Sequence, residues 1–168
     1  MQFLIARNSV RLKLLWEKQM GFGQAVGLFF SRYVDFQGRS RRAEYWWVFL
    51  AQFLFYMIGG FLFVILGGEF DIDSTVPEFD GSSLIIGLLF IVIWIGLIIP
   101  NIALNVRRFH DLGQTGWLVL VFALLSLLPI VGYLASLAQL IWYIFPGNSG
   151  PNKYGPDPKN PIDTAVFE

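Results

Sequence analysis

Three long runs without a single charged residue constrain this chain more than anything else in it: Tyr45 to Leu66, Leu84 to Leu104 and Trp117 to Phe145, of 22, 21 and 29 residues. At a rise of ~1.5 Å per residue, the first gives a helix of about 33 Å and the second one slightly shorter, both enough for a ~30 Å hydrocarbon core. The runs are apolar all round, whereas a core helix of a soluble protein keeps a polar face with a 3.6-residue period. Backbone groups in lipid must be satisfied within their own segment, which favours helices. The alternating ~10-residue pieces of a membrane barrel are missing. With 14% charged residues against roughly 25% in soluble domains, and a mean hydropathy of +0.59, little surface can face water. The expected fold is all-α, a polytopic transmembrane helical bundle with two full spans and a long third stretch.

That third stretch is interrupted by Pro129 and Gly132. Proline removes a backbone donor and clashes with the preceding turn. The stretch is either one long, kinked, tilted span or a helical hairpin turning at Pro129–Gly132, and the hairpin is favoured. Aromatic side chains mark the ends of the runs: Tyr45, Trp46 and Trp47 at the first, Trp117 and then Trp142, Tyr143 and Phe145 at the third. Such amphipathic rings collect at headgroup level.

Charge sets the expected orientation. Eight basic residues precede Tyr45, and the segment 67–83 has none but carries Glu69, Asp71, Asp73, Glu78 and Asp80. The segment 105–116 holds Arg107 and Arg108. Basic residues in short loops stay cytoplasmic. The N-terminus and an inner loop over 105–116 are therefore expected inside, and the acidic loop outside. The tail with Lys153 and Lys159 lies inside if the third stretch is a hairpin and outside if it is one span.

Phe22, Val26, Phe29, Phe30 and Tyr33 recur at roughly helical spacing with Arg32 beside them. This reads as an interfacial amphipathic helix on the inner surface, or as an ordinary cytosolic helix. Residues 1–19 read as a basic extension, with Met20 as an alternative start that N-terminal sequencing would test. Arg7, Arg11 and Lys13 interrupt the apolar core that a cleavable signal requires. The membrane domain is expected over 20–158. From Pro146 onward a tail rich in Gly, Pro, Asn and Asp specifies turns.

Chemistry is sparse. Absent cysteine removes disulfides and thiol catalysis. The spans contain no Asp, Glu, Lys, Arg or His, which argues against a proton-coupled pathway. Their polar groups, Gln52, Asn101, Ser126, Ser136 and Gln139, suit helix–helix hydrogen bonds, and Gly59-Gly60 suits close helix packing. The candidate site is a polar cluster at the inner face: Arg39, Arg41, Arg42 and Glu44 before the first span, Arg107, Arg108, His110 and Asp111 after the second, and Asn152, Tyr154 and Asp157 in the tail. Arg41 and Glu44, three apart, are expected to be neighbours on a helix. His110 is the sole histidine, so a zinc site with its usual three or four ligands is not indicated. No catalytic residue, metal or cofactor is expected. The partners expected are membrane lipids, anionic ones included, and a membrane-protein partner or second copy, but not nucleic acid.

Four segments carry a resemblance. They are Met-Gly-Phe-Gly-Gln-Ala from Met20, Tyr-Val-Asp-Phe-Gln-Gly-Arg-Ser-Arg-Arg-Ala-Glu-Tyr-Trp-Trp from Tyr33, Arg-Arg-Phe-His-Asp-Leu-Gly-Gln-Thr-Gly-Trp from Arg107, and Gly-Pro-Asn-Lys-Tyr-Gly-Pro-Asp-Pro from Gly150. Together they resemble the YhaH/YhaI-like bacterial inner-membrane family, domain of unknown function 805, over about residues 20–158. The resemblance implies a small inner-membrane protein and no defined activity. The extension before Met20 and the long acidic segment 67–83 depart from the pattern. The leading expectation is a non-enzymatic membrane protein whose polar cluster engages lipid headgroups or a protein partner. A small channel or carrier for a polar solute is the alternative, and a lipid-acting enzyme or enzyme subunit comes last.

Overall fold

The computed structural model describes residues 20–65 and 81–159, the side chains at 82 and 83 excepted. The expected N-terminal extension and nearly all of the acidic segment, with its five carboxylates, lie outside the described residues. Among the described residues there are five helices: α1 (Phe22–Ser31), α2 (Arg42–Ile65), α3 (Gly81–Asp111), α4 (Leu118–Leu125) and α5 (Pro129–Ile144). The two long ones, α2 and α3, are long and apolar enough to cross a membrane. Their outer faces are open and apolar: Met57, Ile58, Phe61, Leu88 and Val92 are each more than half exposed. Apolar area on this scale belongs against lipid.

Two sequence expectations change. The segment 105–116 is mostly not a loop. α3 continues through Arg107, Arg108 and Asp111 and stops where Gly113 adopts φ 75°. There the amides of Gly113 and Gln114 close on the carbonyls of His110 and Phe109, which is glycine's usual way of ending a helix. The third stretch does break in two, but at residues 126–128. Pro129 opens α5 instead of interrupting it, because a proline in the first turn costs no helical hydrogen bond. Gly132 is needed for a different reason: a Cβ there would lie 2.7 Å from the carbonyl oxygen of Ser126. α4, with only 8 residues, is about 12 Å long and cannot cross a bilayer alone. The α4–α5 unit begins and ends at the same end of the molecule. Gly116 packs against Val106 and His110 of α3, while Tyr143 and Phe145 accept hydrogen bonds from Arg108.

Sparse polar contacts join the helices. Gln52 of α2 donates to Asn101 of α3 at 2.9 Å, and Gln139 of α5 donates to Asn105 at 3.2 Å and to the Tyr143 hydroxyl at 2.9 Å. Gly59 seats the ring of Phe90 where a Cβ would overlap it, whereas nothing approaches Gly60.

Pro100 lies inside α3. Lacking an N–H, it leaves the carbonyl four residues earlier, that of Gly96, without its helical donor. The Tyr33 hydroxyl, just past the end of α1, donates to this carbonyl. The chain thus meets a span's internal defect with a side chain from the turn that follows α1. Tyr33→Phe should lower stability by roughly 1–3 kcal/mol and loosen α1. The check is faster amide exchange over 22–31 with unchanged exchange in α5.

Candidate functional site

The buried side chains gather at the arginine-bearing end of the bundle. Beside Tyr45, Val48, Leu104, Phe109 and Tyr143, this core contains Arg39, Glu44, Arg107, Arg108 and Asp111. Three buried arginines therefore face two buried carboxylates. Such a core costs least when its donors are occupied; most are, but Arg107 Nε and Nη2 and Arg108 Nε have no hydrogen-bond partner among the described residues.

Asp111, the last residue of α3, is the hub. Its Oδ1 accepts from Arg39 Nε at 3.0 Å and lies 3.0 Å from Arg39 Nη2. Its Oδ2 accepts from Arg108 Nη1. Arg39 extends further into the tail. It donates to the Gly150 carbonyl at 2.7 Å, to that of Gly155 at 3.5 Å and to that of Asn148. Arg108 Nη2 reaches the carbonyls of Tyr143, at 2.9 Å, and Phe145. The Asn148 amide closes the loop on the Asp111 carbonyl at 2.8 Å. Gly147 has to be glycine, since a Cβ would overlap the Asp111 carboxylate. Arginine's planar five-donor fork suits this binding of several carbonyls at once.

Arg107 forms a second centre. Its Nη1 donates to the carbonyls of Arg32, at 3.2 Å, and Asp35, just beyond the C-terminus of α1. Its Nη2 is 3.6 Å from Glu44 Oε1, an ion pair longer than a hydrogen bond. Both charges sit well on their helices: Glu44 in the first turn of α2, Arg107 near the C-terminal end of α3, where carbonyl dipoles favour a cation. Glu44 therefore faces α3, not Arg41, contrary to the i, i+3 pairing expected. The Ser40 amide adds a bond to the Arg107 carbonyl at 3.1 Å.

The other expected members divide. His110 Nδ1 lies 3.1 Å from the Gly38 carbonyl, which requires the proton on that nitrogen, and its ring stacks on Tyr154 at 3.8 Å and 7°. Asn152 donates to the His110 carbonyl at 2.9 Å. Asp157 forms no ion pair with an arginine among the described residues. It accepts the amides of Gly150, at 3.1 Å, and Lys159, at 2.9 Å, and so shapes the tail's turn. Arg41 is half-buried and Arg42 exposed. Among the described residues, neither side chain has a hydrogen bond or ion pair. Tyr45, expected at the interface, instead turns inward onto Tyr143, with ring centroids 4.6 Å apart. Trp47 is half-buried and donates to the Met20 carbonyl at 2.8 Å.

Sequence reasoning missed Tyr143, Asn148 and Gly147, which act through backbone atoms or as a space requirement and carry no local pattern. It also missed the Arg32–Asp35 pair at 2.9 Å. The i, i+3 spacing there is a visible signal. Partial burial pushes the Asp35 carboxyl up, but the Gln37 amide and the Arg32 guanidinium outweigh it and hold the group below its ordinary value. A carboxylate lowered on folding adds stability above its unfolded pKa and loses it as pH falls through the folded value. Between about pH 5 and about pH 3, Asp35→Asn should therefore lose less thermal stability than the unaltered chain.

A family model described as "Protein of unknown function (DUF805)" matches residues 33–156. The chain is 33% identical over 129 residues to "Inner membrane protein YhaH" of Escherichia coli strain K12, covering 77% of this chain and 91% of that protein. It is 33% identical, over the same length, to "Inner membrane protein YhaI" of the same strain, covering 90% of it. No solved structure matches.

Proposed function

This chain belongs to the DUF805 family of inner-membrane proteins of unknown function, and on that premise we propose that it is a non-enzymatic protein whose arginine-bearing end faces the cytoplasm and holds anionic lipid headgroups. The division among its arginines carries this reading. Arg39, Arg107 and Arg108 are consumed by buried carboxylates and carbonyls. They hold two spans, the α4–α5 unit and the tail together. Arg41 and Arg42 are left over, at the mouth of α2 beside Trp46 and Trp47. Cations there are worth ~1 kcal/mol each toward an anionic surface, and the indoles suit headgroup depth. The bias of basic residues to this end supports the cytoplasmic orientation.

Arg41→Gln with Arg42→Gln should reduce phosphatidylglycerol co-purifying in mild detergent about thirtyfold, the product of two such contacts, with the melting midpoint unchanged. A lowered midpoint with unchanged lipid would instead make both arginines structural and overturn the reading.

A further inference from the structure

A cleft of about 410 Å³ opens between α1, α2 and α3. Its floor is Phe29 and Val48, each 2% exposed, and its rim is Phe30, Phe55 and Ile93, all exposed. We propose that this cleft holds one acyl chain of an anionic glycerophospholipid. The inference rests on the headgroup role of Arg41 and Arg42 and names the lipid part that lies below them.

The wall chemistry selects a hydrocarbon. Two polar side chains border the cleft, and both are turned to other partners: the Tyr33 hydroxyl donates to the Gly96 carbonyl and Gln52 Nε2 to Asn101. The rest of the lining is Val, Phe, Ala, Ile, Leu and Gly, so a polar solute would lose its hydration with little replacement. The volume lies within the ~300–1,000 Å³ usual for small-molecule sites. Two of the three rim residues, Phe55 and Ile93, belong to spans whose outer faces are apolar, so the cleft opens sideways toward lipid and not toward water.

The charge around the cleft's head selects the headgroup. Val48 of the floor lies seven residues beyond Arg41, which immediately precedes α2, and that is about 10 Å of helical rise. A phosphate at Arg41 thus stands one headgroup's depth above a chain resting on Val48. Arg32 adjoins Tyr33 at the cleft but is paired with Asp35 and donates to the Gln37 carbonyl, so the charge offered to a headgroup is that of Arg41 and Arg42. α1, the third wall, ends at this level.

Native mass spectrometry of the full chain in mild detergent tests this. Phosphatidylglycerol or phosphatidylcholine with identical chains is added, one at a time. The unaltered chain should retain one phosphatidylglycerol, in preference to phosphatidylcholine. Ala51→Phe fills the cleft from α2 and should lower retention of both lipids about tenfold or more, as denial of several methylenes requires. Val26→Phe fills it from α1 and should do the same if Ala51→Phe folds poorly. Arg41→Gln with Arg42→Gln should lower phosphatidylglycerol retention to the level of phosphatidylcholine, removing the preference between headgroups. Full retention by a folded cleft-filled variant, or no retained lipid in the unaltered chain, would overturn the inference. A preference that survives loss of both arginines would overturn the headgroup reading while the cleft stands.

Discussion

Asp111→Ala should abolish most of the folded yield of this protein. Asp111 is the one carboxylate shared by Arg39 and Arg108, and its side chain is 4% exposed. Its loss leaves two guanidinium groups buried with carbonyl partners only. Removing one side of a buried ion pair costs roughly 3–5 kcal/mol. For a chain of this size that lowers the melting midpoint by roughly 10 °C and removes most of the stability of a protein near the lower end of the usual ~5–15 kcal/mol range. Monodisperse protein recovered after detergent extraction, with its melting midpoint, is the readout. Asp111→Asn should fall between, since its amide oxygen still accepts from one arginine while its NH₂ opposes the other. A normal yield and midpoint for Asp111→Ala would mean that the arginines are satisfied without it.

Arg39→Ala should free the tail while leaving the helices in place. Arg39 binds Asp111 on α3 and the carbonyls of Asn148, Gly150 and Gly155. Hydrogen bonds from a charged donor contribute roughly 1.5–3 kcal/mol each, so losing two or three raises the open population of residues 146–159 by at least about a hundredfold. Cleavage by trypsin at the exposed Lys153 follows that population when closing is fast. Arg39→Ala should therefore be cut at Lys153 far faster, with the helical circular dichroism retained. Arg39→Lys, a point charge without the fork, should lie nearer alanine than wild type. Arg42→Ala, which touches none of these carbonyls, should be cut at the wild-type rate.

The contrast between these arginines marks what the sequence makes legible. The spans α2 and α3 are legible because lipid demands an absence of charge around the whole helix, and that is a local property. The break before Pro129 is legible as a break but misplaced, because a proline is read as an interrupter although it can begin a helix. The sequence places Arg107 and Arg108 in an inner loop, as members of the polar cluster. They are buried within α3 because their partners come from elsewhere: the end of α1, Tyr143, Phe145 and Asp111. No spacing rule links Arg39 to Gly150. Tyr33 illustrates the same limit: Pro100 announces a carbonyl at Gly96 that needs a donor, but only the packing of α1 supplies one.

The central claim is that two spans and a returning α4–α5 unit bring the polar segments around residues 32–44, 111–116 and 146–159 to one side of the membrane. The chain's lack of cysteine permits a direct measurement with single cysteines at Gln37, Thr115 and Ser149, all exposed, and at Leu127 between α4 and α5. Right-side-out and inside-out membrane vesicles are treated with a membrane-impermeant maleimide. Labelling of Gln37, Thr115 and Ser149 only in inside-out vesicles, with Leu127 protected in both, is the expected pattern. Labelling of Ser149 from the side opposite Thr115 would make the third stretch a full crossing and contradict the account.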